Sequence, residues 1–308
     1  MNPLRGIGLK ILSVAVFMAM ATCIKAAAAE GIPPGQAGFF RSLFAFPVIL
    51  SWLVYQHDLA HGLSSRNPMG HVWRGLVGGG AMACGFTALG LLPLPEVTAI
   101  GYAAPLLIVI FAAMFLGEQV RLFRLTAVLL GLVGVVIVLS PRLSVTTIEN
   151  ASQWETLGAV TALMGAILAA LAQVFVRKLV QVETTAAIVF YFSVTTTVIS
   201  LFTLPFGWLW PSTGTLALLI AAGIFGGLGQ ILLTSSYRFA PVSVIAPFEY
   251  VSMLMAIGIG YIFFAEVPTE RTLMGGALVV AAGLFIIWRA RQLGLERGKA
   301  RPAMTPQG

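Results

Sequence analysis

Of 308 residues only 9% are charged, 18 Lys and Arg against 11 Asp and Glu, while 58% are apolar; soluble domains carry roughly 25% charged residues. With a mean hydropathy of +0.95, this composition excludes a soluble fold, because most of the exterior must face lipid rather than water. The formal charge of +7 and pI near 9.9 fit the Lys/Arg excess of cytoplasmic loops and exclude nucleic acid as the partner they would suggest in a soluble domain.

A spanning helix needs about 20 mostly apolar residues to cross roughly 30 Å of hydrocarbon. The first such segment, 7–29, follows Arg5 and closes on Ile24-Lys25 and a run of alanines. A cleaved signal peptide is the rival reading there, and Lys25 inside the would-be hydrophobic region weighs against it. Pro33-Pro34 opens the second segment, 35–55, with Phe40-Arg41 near its start. A loop carrying His57, Asp58, His61 and His71 leads into the third, 73–92, with its glycines Gly75, Gly78 and Gly79. Pro93 to Pro95 turn the chain into the fourth, 95–116, which holds Tyr102 and Pro105 and ends at Glu118. Arg121 to Arg124 open the fifth, 122–139, and Pro141-Arg142 close it. The second half repeats the rhythm with segments 155–176, 186–205, 214–236, 242–264 and 271–289. Cys23 and Cys84 lie inside apolar runs and read as packing residues, not as a disulfide framework.

Alternating the sides of these ten segments places fourteen of the 18 Lys and Arg residues, Lys10 and Arg74 among them, on the N-terminal side. Only Arg142 and Arg271 fall opposite, with Lys25 and Arg41 inside spans. This asymmetry predicts cytoplasmic N- and C-termini. A shift of 148 residues then superimposes Gly75, Gly78, Gly79, Pro93, Tyr102, Leu106, Phe115 and Glu118 on Gly223, Gly226, Gly227, Pro241, Tyr250, Leu254, Phe263 and Glu266. Such coincidence at one offset signals a duplication. With five spans per half, the second copy must sit upside down, the arrangement found in secondary transporters. The expected organisation is therefore an all-α membrane protein of ten transmembrane helices in two inverted repeats, 1–145 and 150–290, with a basic cytoplasmic tail at 291–308.

The ends of helices four and nine, Gly117-Glu118 and Ala265-Glu266, each precede an apolar helix containing glycine. With Ile24-Lys25, Phe40-Arg41, Tyr237-Arg238-Phe239-Ala240-Pro241 and Ala246-Pro247-Phe248-Glu249-Tyr250, the chain resembles the EamA type of the drug/metabolite transporter superfamily over nearly its whole length. Ala265, where the first half has Gly117, is the one departure. The resemblance implies ten helices around a central cavity in a bacterial inner membrane. It leaves the cargo open, since members move amino acids, vitamins such as riboflavin, sugars, nucleotide precursors and toxic compounds.

Ionisable groups inside spans cost about 2.5–3.5 kcal/mol at a helix centre on insertion scales, which makes them functional candidates. Lys25 and Arg41 fall in the outer half, either snorkelling or pairing with Glu30, or forming a positive pair that attracts an anionic group. Glu249 lies roughly 10 Å deep from the cytoplasmic side, too far for an ion pair with either cation. It needs another partner and suits proton coupling or amine binding. Pro105 and Pro247 should interrupt helices four and nine beside Tyr102 and Tyr250, and interrupted segments in matching positions point to a transporter binding site. Gln173, which matches Lys25 at the 148 offset, completes the candidate substrate-binding set of Lys25, Arg41, Tyr102, Gln173, Glu249 and Tyr250. Phe39, Phe40, Phe86, Tyr191 and Phe248 could add aromatic walls or merely pack. The G-x-x-x-G glycines precede no strand and carry no Lys-Ser/Thr, so they read as helix-packing positions, not a phosphate cradle.

A membrane enzyme is the rival class. His57-Asp58-Leu59-Ala60-His61 is similar to a zinc-binding H-E-x-x-H, with His71 as a third ligand, but the loop has no further carboxylate. A channel is disfavoured by the duplication. The expectation is a non-enzymatic secondary carrier or exporter of a small organic metabolite, without cofactor or metal, working by alternating access. The bilayer surrounds it, a proton is the candidate coupling ion, and the assembly is a monomer or homodimer.

Overall fold

A computed structural model describes residues 3–57, 62–116, 122–143, 153–239 and 245–299. Among them all regular structure is helical. The first half contains α1 (Pro3–Ala29), α2 (Pro34–Leu43), α3 (Ala45–Tyr55), α4 (Pro68–Leu91), α5 (Leu94–Gly101), α6 (Ala103–Leu116) and α7 (Leu122–Leu143). The second contains α8 (Gln153–Leu179), α9 (Thr185–Leu201), α10 (Thr213–Phe239), a 3-10 turn at Ala246–Tyr250, α11 (Val251–Phe264) and α12 (Glu270–Lys299).

Helix falls on each of the ten apolar segments. Five described stretches, 4–29, 34–55, 94–111, 153–179 and 213–239, are by themselves long and apolar enough to cross a bilayer. Three shorter apolar helices lie at 125–140, 185–201 and 248–264.

Prolines set the breaks. Pro105 removes the N–H that would bond the Gly101 carbonyl, and α5 ends there, with Tyr102 in the turn before α6. Pro247 stands in a tighter 3-10 turn, Ala246–Tyr250, that precedes α11; Ser243, whose carbonyl it leaves without a helical N–H, lies outside the described residues. The split at Phe44 between α2 and α3 was not anticipated; Pro47, four residues beyond Leu43, explains it by the same chemistry. Where water or loop meets helix, side chains cap the free N–H groups: Asn67 accepts from Gly70 and Thr184 from Ala187, each at 3.0 Å.

The distribution of polarity is the reverse of a soluble protein's. Lys10, Arg41, Arg74, Glu96 and Glu183 are buried, while Leu129, Val133, Val136, Leu254 and Ile262 are more than half exposed. On α7, Leu125, Leu129, Val133 and Val136 recur at helical spacing and form a lipid-facing stripe. The opposite face, with Val128, Val135 and Val138, joins Tyr102, Tyr250 and Val279 in the main core.

Helices pair across the two halves. α1 packs on α10, α4 on α8 and α7 on α12. In the last pair the backbones touch: a Cβ on Gly134 would lie 2.7 Å from the Gly275 carbonyl, and one on Gly275 would lie 2.5 Å from that of Gly134. Glycine is needed at both places for this close approach.

Candidate functional site

The break at Tyr102 and the 3-10 turn that ends at Tyr250 meet, and the two tyrosines touch. Their rings meet edge-on, with centroids 5.1 Å apart at 74°. The Tyr102 hydroxyl lies 2.8 Å from Ser252 Oγ and 3.3 Å from the Tyr250 carbonyl, while Ser252 donates to the Glu249 carbonyl at 2.6 Å. The ring of Tyr250 occupies the space left by the missing side chain of Gly283 on α12. Residues 148 apart in sequence thus share one contact, tied to the turn that carries Glu249.

Glu249 finds the partner it required in Lys10, whose Nζ sits 3.1 Å from Oε2. The side chain of Lys10 is 5% exposed and that of Glu249 44%, so the cation is sealed while the carboxylate keeps an open side. Tyr237 lies in the field of both charges, and its hydroxyl reaches towards Gln173 Oε1 at 3.5 Å. Lys10 belongs to this group and not to the loop cations, a correction to the topological assignment. Its position three residues inside the first apolar segment was the available signal.

Lys25 is differently placed. Its ammonium meets Glu266 Oε1 at 2.8 Å and donates to the carbonyls of Leu92 and Leu89 at 2.7 and 3.2 Å. Glu266, not Glu30, is its acidic partner, and Glu266 Oε2 also accepts from the Leu94 N–H at 2.8 Å. One ion pair therefore joins α1, the C-terminal carbonyls of α4 and the free N–H groups at the start of α5.

Arg41 is 2% exposed and reaches the Gly226 carbonyl at 3.4 Å. Its cationic neighbour is Arg74 rather than Lys25: the two guanidinium carbons lie 5.1 and 3.7 Å from the centroid of one ring, that of Phe192. Arg74 is 5% exposed and is likewise removed from the loop cations. It lies inside the third apolar segment, where the rule applied to Arg41 would have found it.

The aromatic candidates do not form one wall. Phe39 packs on Phe40 and Trp208, Phe86 joins the core beside α1, and Tyr191 donates to the Leu63 carbonyl at 3.0 Å while its ring covers His71. His71 Nε2 lies 3.6 Å from Glu183. Among the described residues no group of three or more His, Cys, Asp or Glu could hold a metal ion; Asp58 and His61 lie outside those residues, as do Gly117, Glu118 and Pro241.

In the loop before α9, buried Glu183 accepts from the N–H groups of Arg66 and Asn67, each at 2.7 Å, and from the Ser65 hydroxyl at 3.1 Å. Burial pushes its carboxyl up, but these donors and His71 outweigh it and hold the group below the usual glutamate value. Arg238 adds bonds to the Glu183 carbonyl and the Thr185 hydroxyl, so the loop before α9 is bolted to the loop before α4.

The model of the EamA-like transporter family matches residues 4–140 and 156–288. A pseudopaline exporter of Pseudomonas aeruginosa is 28% identical over 278 residues, covering 90% of this chain and 94% of that one. An S-adenosylmethionine uptake transporter of Rickettsia bellii is 28% identical over 257 residues, covering 83% and 84%. A riboflavin transporter of Rhizobium johnstonii is 27% identical over 256 residues, covering 83% and 81%. A crystal structure matches with a TM-score of 0.66 over 94% of this chain and 98% of the other, at 20% identity, which shows a shared fold.

Proposed function

We propose that this chain, which belongs to the EamA-like transporter family, is a ten-span secondary carrier of a small organic metabolite in the bacterial inner membrane, with both termini cytoplasmic. Family membership makes it a multi-pass membrane transporter of a small molecule; the span count, sidedness and site are our reading. The single observation that carries the site is the contact of Tyr102 with Tyr250 at two helix breaks, beside a Glu249 carboxylate that is paired yet open on one side. The cross-packing of α1 on α10 and of α4 on α8 supports two inverted halves, 1–145 and 150–290, that rock about this point.

In this reading Glu249 holds an amine of the cargo or a coupling proton, Tyr102, Tyr250 and Gln173 bound the cavity, and Arg41 draws the anionic end. Lys25 acts at the outer end, where an anion must compete with Glu266 for it. The relatives include both an exporter and uptake transporters, and export is the second reading of direction. Uptake of candidate metabolites into proteoliposomes, with and without a pH gradient, tests the site: Glu249→Gln and Arg41→Ala should each cut the rate at least about tenfold. Wild-type rates in both variants would remove the site assignment.

A further inference from the structure

Two guanidinium groups face one phenyl ring deep between α2, α4, α9 and α10, and among the described residues neither meets a carboxylate. Nε and Nη1 of both Arg41 and Arg74 are buried without a hydrogen-bond partner. On the helix that carries Phe192, the hydroxyls of Ser193 and Thr197 are also buried and unpartnered. Like charges in a low-dielectric interior repel each other, and each orphaned N–H forfeits the hydrogen bond it had in water. The face of Phe192 offsets part of this through its quadrupole but supplies no hydrogen-bond acceptor.

Room for the pair is built into the duplication. A Cβ on Gly78 would collide with Nη1 of Arg74, and one on Gly226 would lie 2.7 Å from Nε of Arg41. Gly78 and Gly226 match at the 148 offset, so equivalent glycines of the two halves each seat one guanidinium. These two glycines, which fall between the defining glycines of the G-x-x-x-G segments Gly75–Gly79 and Gly223–Gly227, therefore do more than pack helices. Guanidinium is also the group suited to the task, since its planar fork matches an oxyanion and it stays charged when buried.

We infer that Arg41 and Arg74 together form a buried receptor for an oxyanion group, carboxylate or phosphate, carried by the transported molecule. This rests on the transporter reading and deepens it, by adding Arg74 to the site and by naming the anionic end that Arg41 draws as an oxyanion held by two guanidinium groups. An anion between the two cations gives the orphaned N–H groups acceptors and neutralises the repulsion. Arg41 on α2 and Arg74 on α4 both come from the first half, while the Gly226 carbonyl and the Phe192 ring against them come from the second, so the pair lies where the two halves meet.

The test is thermal unfolding of the purified full-length protein in detergent, titrated with succinate or with inorganic phosphate against sodium chloride at equal ionic strength. The wild type should show a saturable rise of at least about 2 °C with one or both; succinate alone identifies a carboxylate and phosphate alone a phosphate group. Arg41→Met and Arg74→Met should lose the response while keeping or raising the melting point in chloride, because each removes an unpaired buried charge. Arg74→Lys, which keeps the charge but not the fork, should respond with a half-saturation several-fold higher. No response in the wild type, or an equal response in the Met variants, overturns the inference. A Met variant that melts lower and still responds shows a merely structural arginine and also overturns it. The two readings fail separately: loss of uptake in Glu249→Gln without any anion response leaves the carrier site standing, and the reverse leaves only the anion receptor.

Discussion

Replacing Glu249 by Gln keeps the shape of the side chain and removes the charge that faces Lys10 at 3.1 Å. At that distance the gross attraction is about 5 kcal/mol at an effective dielectric of 20, and breaking a fully buried pair costs about 3–5 kcal/mol. The pair is lopsided, however, with side-chain exposures of 5% for Lys10 and 44% for Glu249. Losing Glu249 leaves a sealed ammonium unpaired, at about 2–3 kcal/mol after allowing for the solvated carboxylate, whereas Lys10→Met leaves a carboxylate that can hydrate, at about 1 kcal/mol. The double variant removes both charges and should return to within about 1 kcal/mol of the wild type. Melting of the four proteins in detergent, at roughly 2–4 °C per kcal/mol, reads the order directly. Additive losses, or a Lys10 variant as damaged as the Glu249 variant, would refute the claim that burial is one-sided.

Ala265 caps α11 in the left-handed conformation, φ 51° and ψ 31°, with the Glu266 N–H bonding the Gly260 carbonyl at 2.9 Å; Ala265→Gly should stabilise by about 1 kcal/mol in the same melting assay. Gly283→Ala places a methyl where the Tyr250 ring lies and should cost about 1–3 kcal/mol, with the loss smaller in a Tyr250→Ala background, since the clash is then gone. Glu183 is held below the usual value of 4.5 in the folded protein, so it contributes stability above that value and loses it as the pH falls through the lowered folded value. Melting between pH 3 and 7 should therefore show less pH dependence in Glu183→Gln, which should also melt lower at neutral pH because Arg66 and Asn67 lose a charged acceptor.

Composition and spacing alone fixed the membrane class, because charge this sparse cannot clothe a water-facing surface. They also located the helix break at Tyr102, since the missing N–H of Pro105 leaves the Gly101 carbonyl unbonded whatever the tertiary context, and Pro247 marked the segment where the 3-10 turn up to Tyr250 stands. The same rule applied to Pro47 reaches the break at Phe44. Partners were another matter. Lys10 finds Glu249 across 239 residues, Lys25 finds Glu266 across 241, and Arg41 and Arg74 converge on Phe192. Charge sign and depth along one helix say how far a group lies from water, but not which way it turns about the helix axis. That rotation is set by packing, here by glycines that admit a neighbouring helix or a guanidinium. The sequence could therefore flag charges inside apolar segments, while only the folded bundle decided which meet a carboxylate, as Lys10 and Lys25 do, and which stand beside another cation, as Arg41 and Arg74 do.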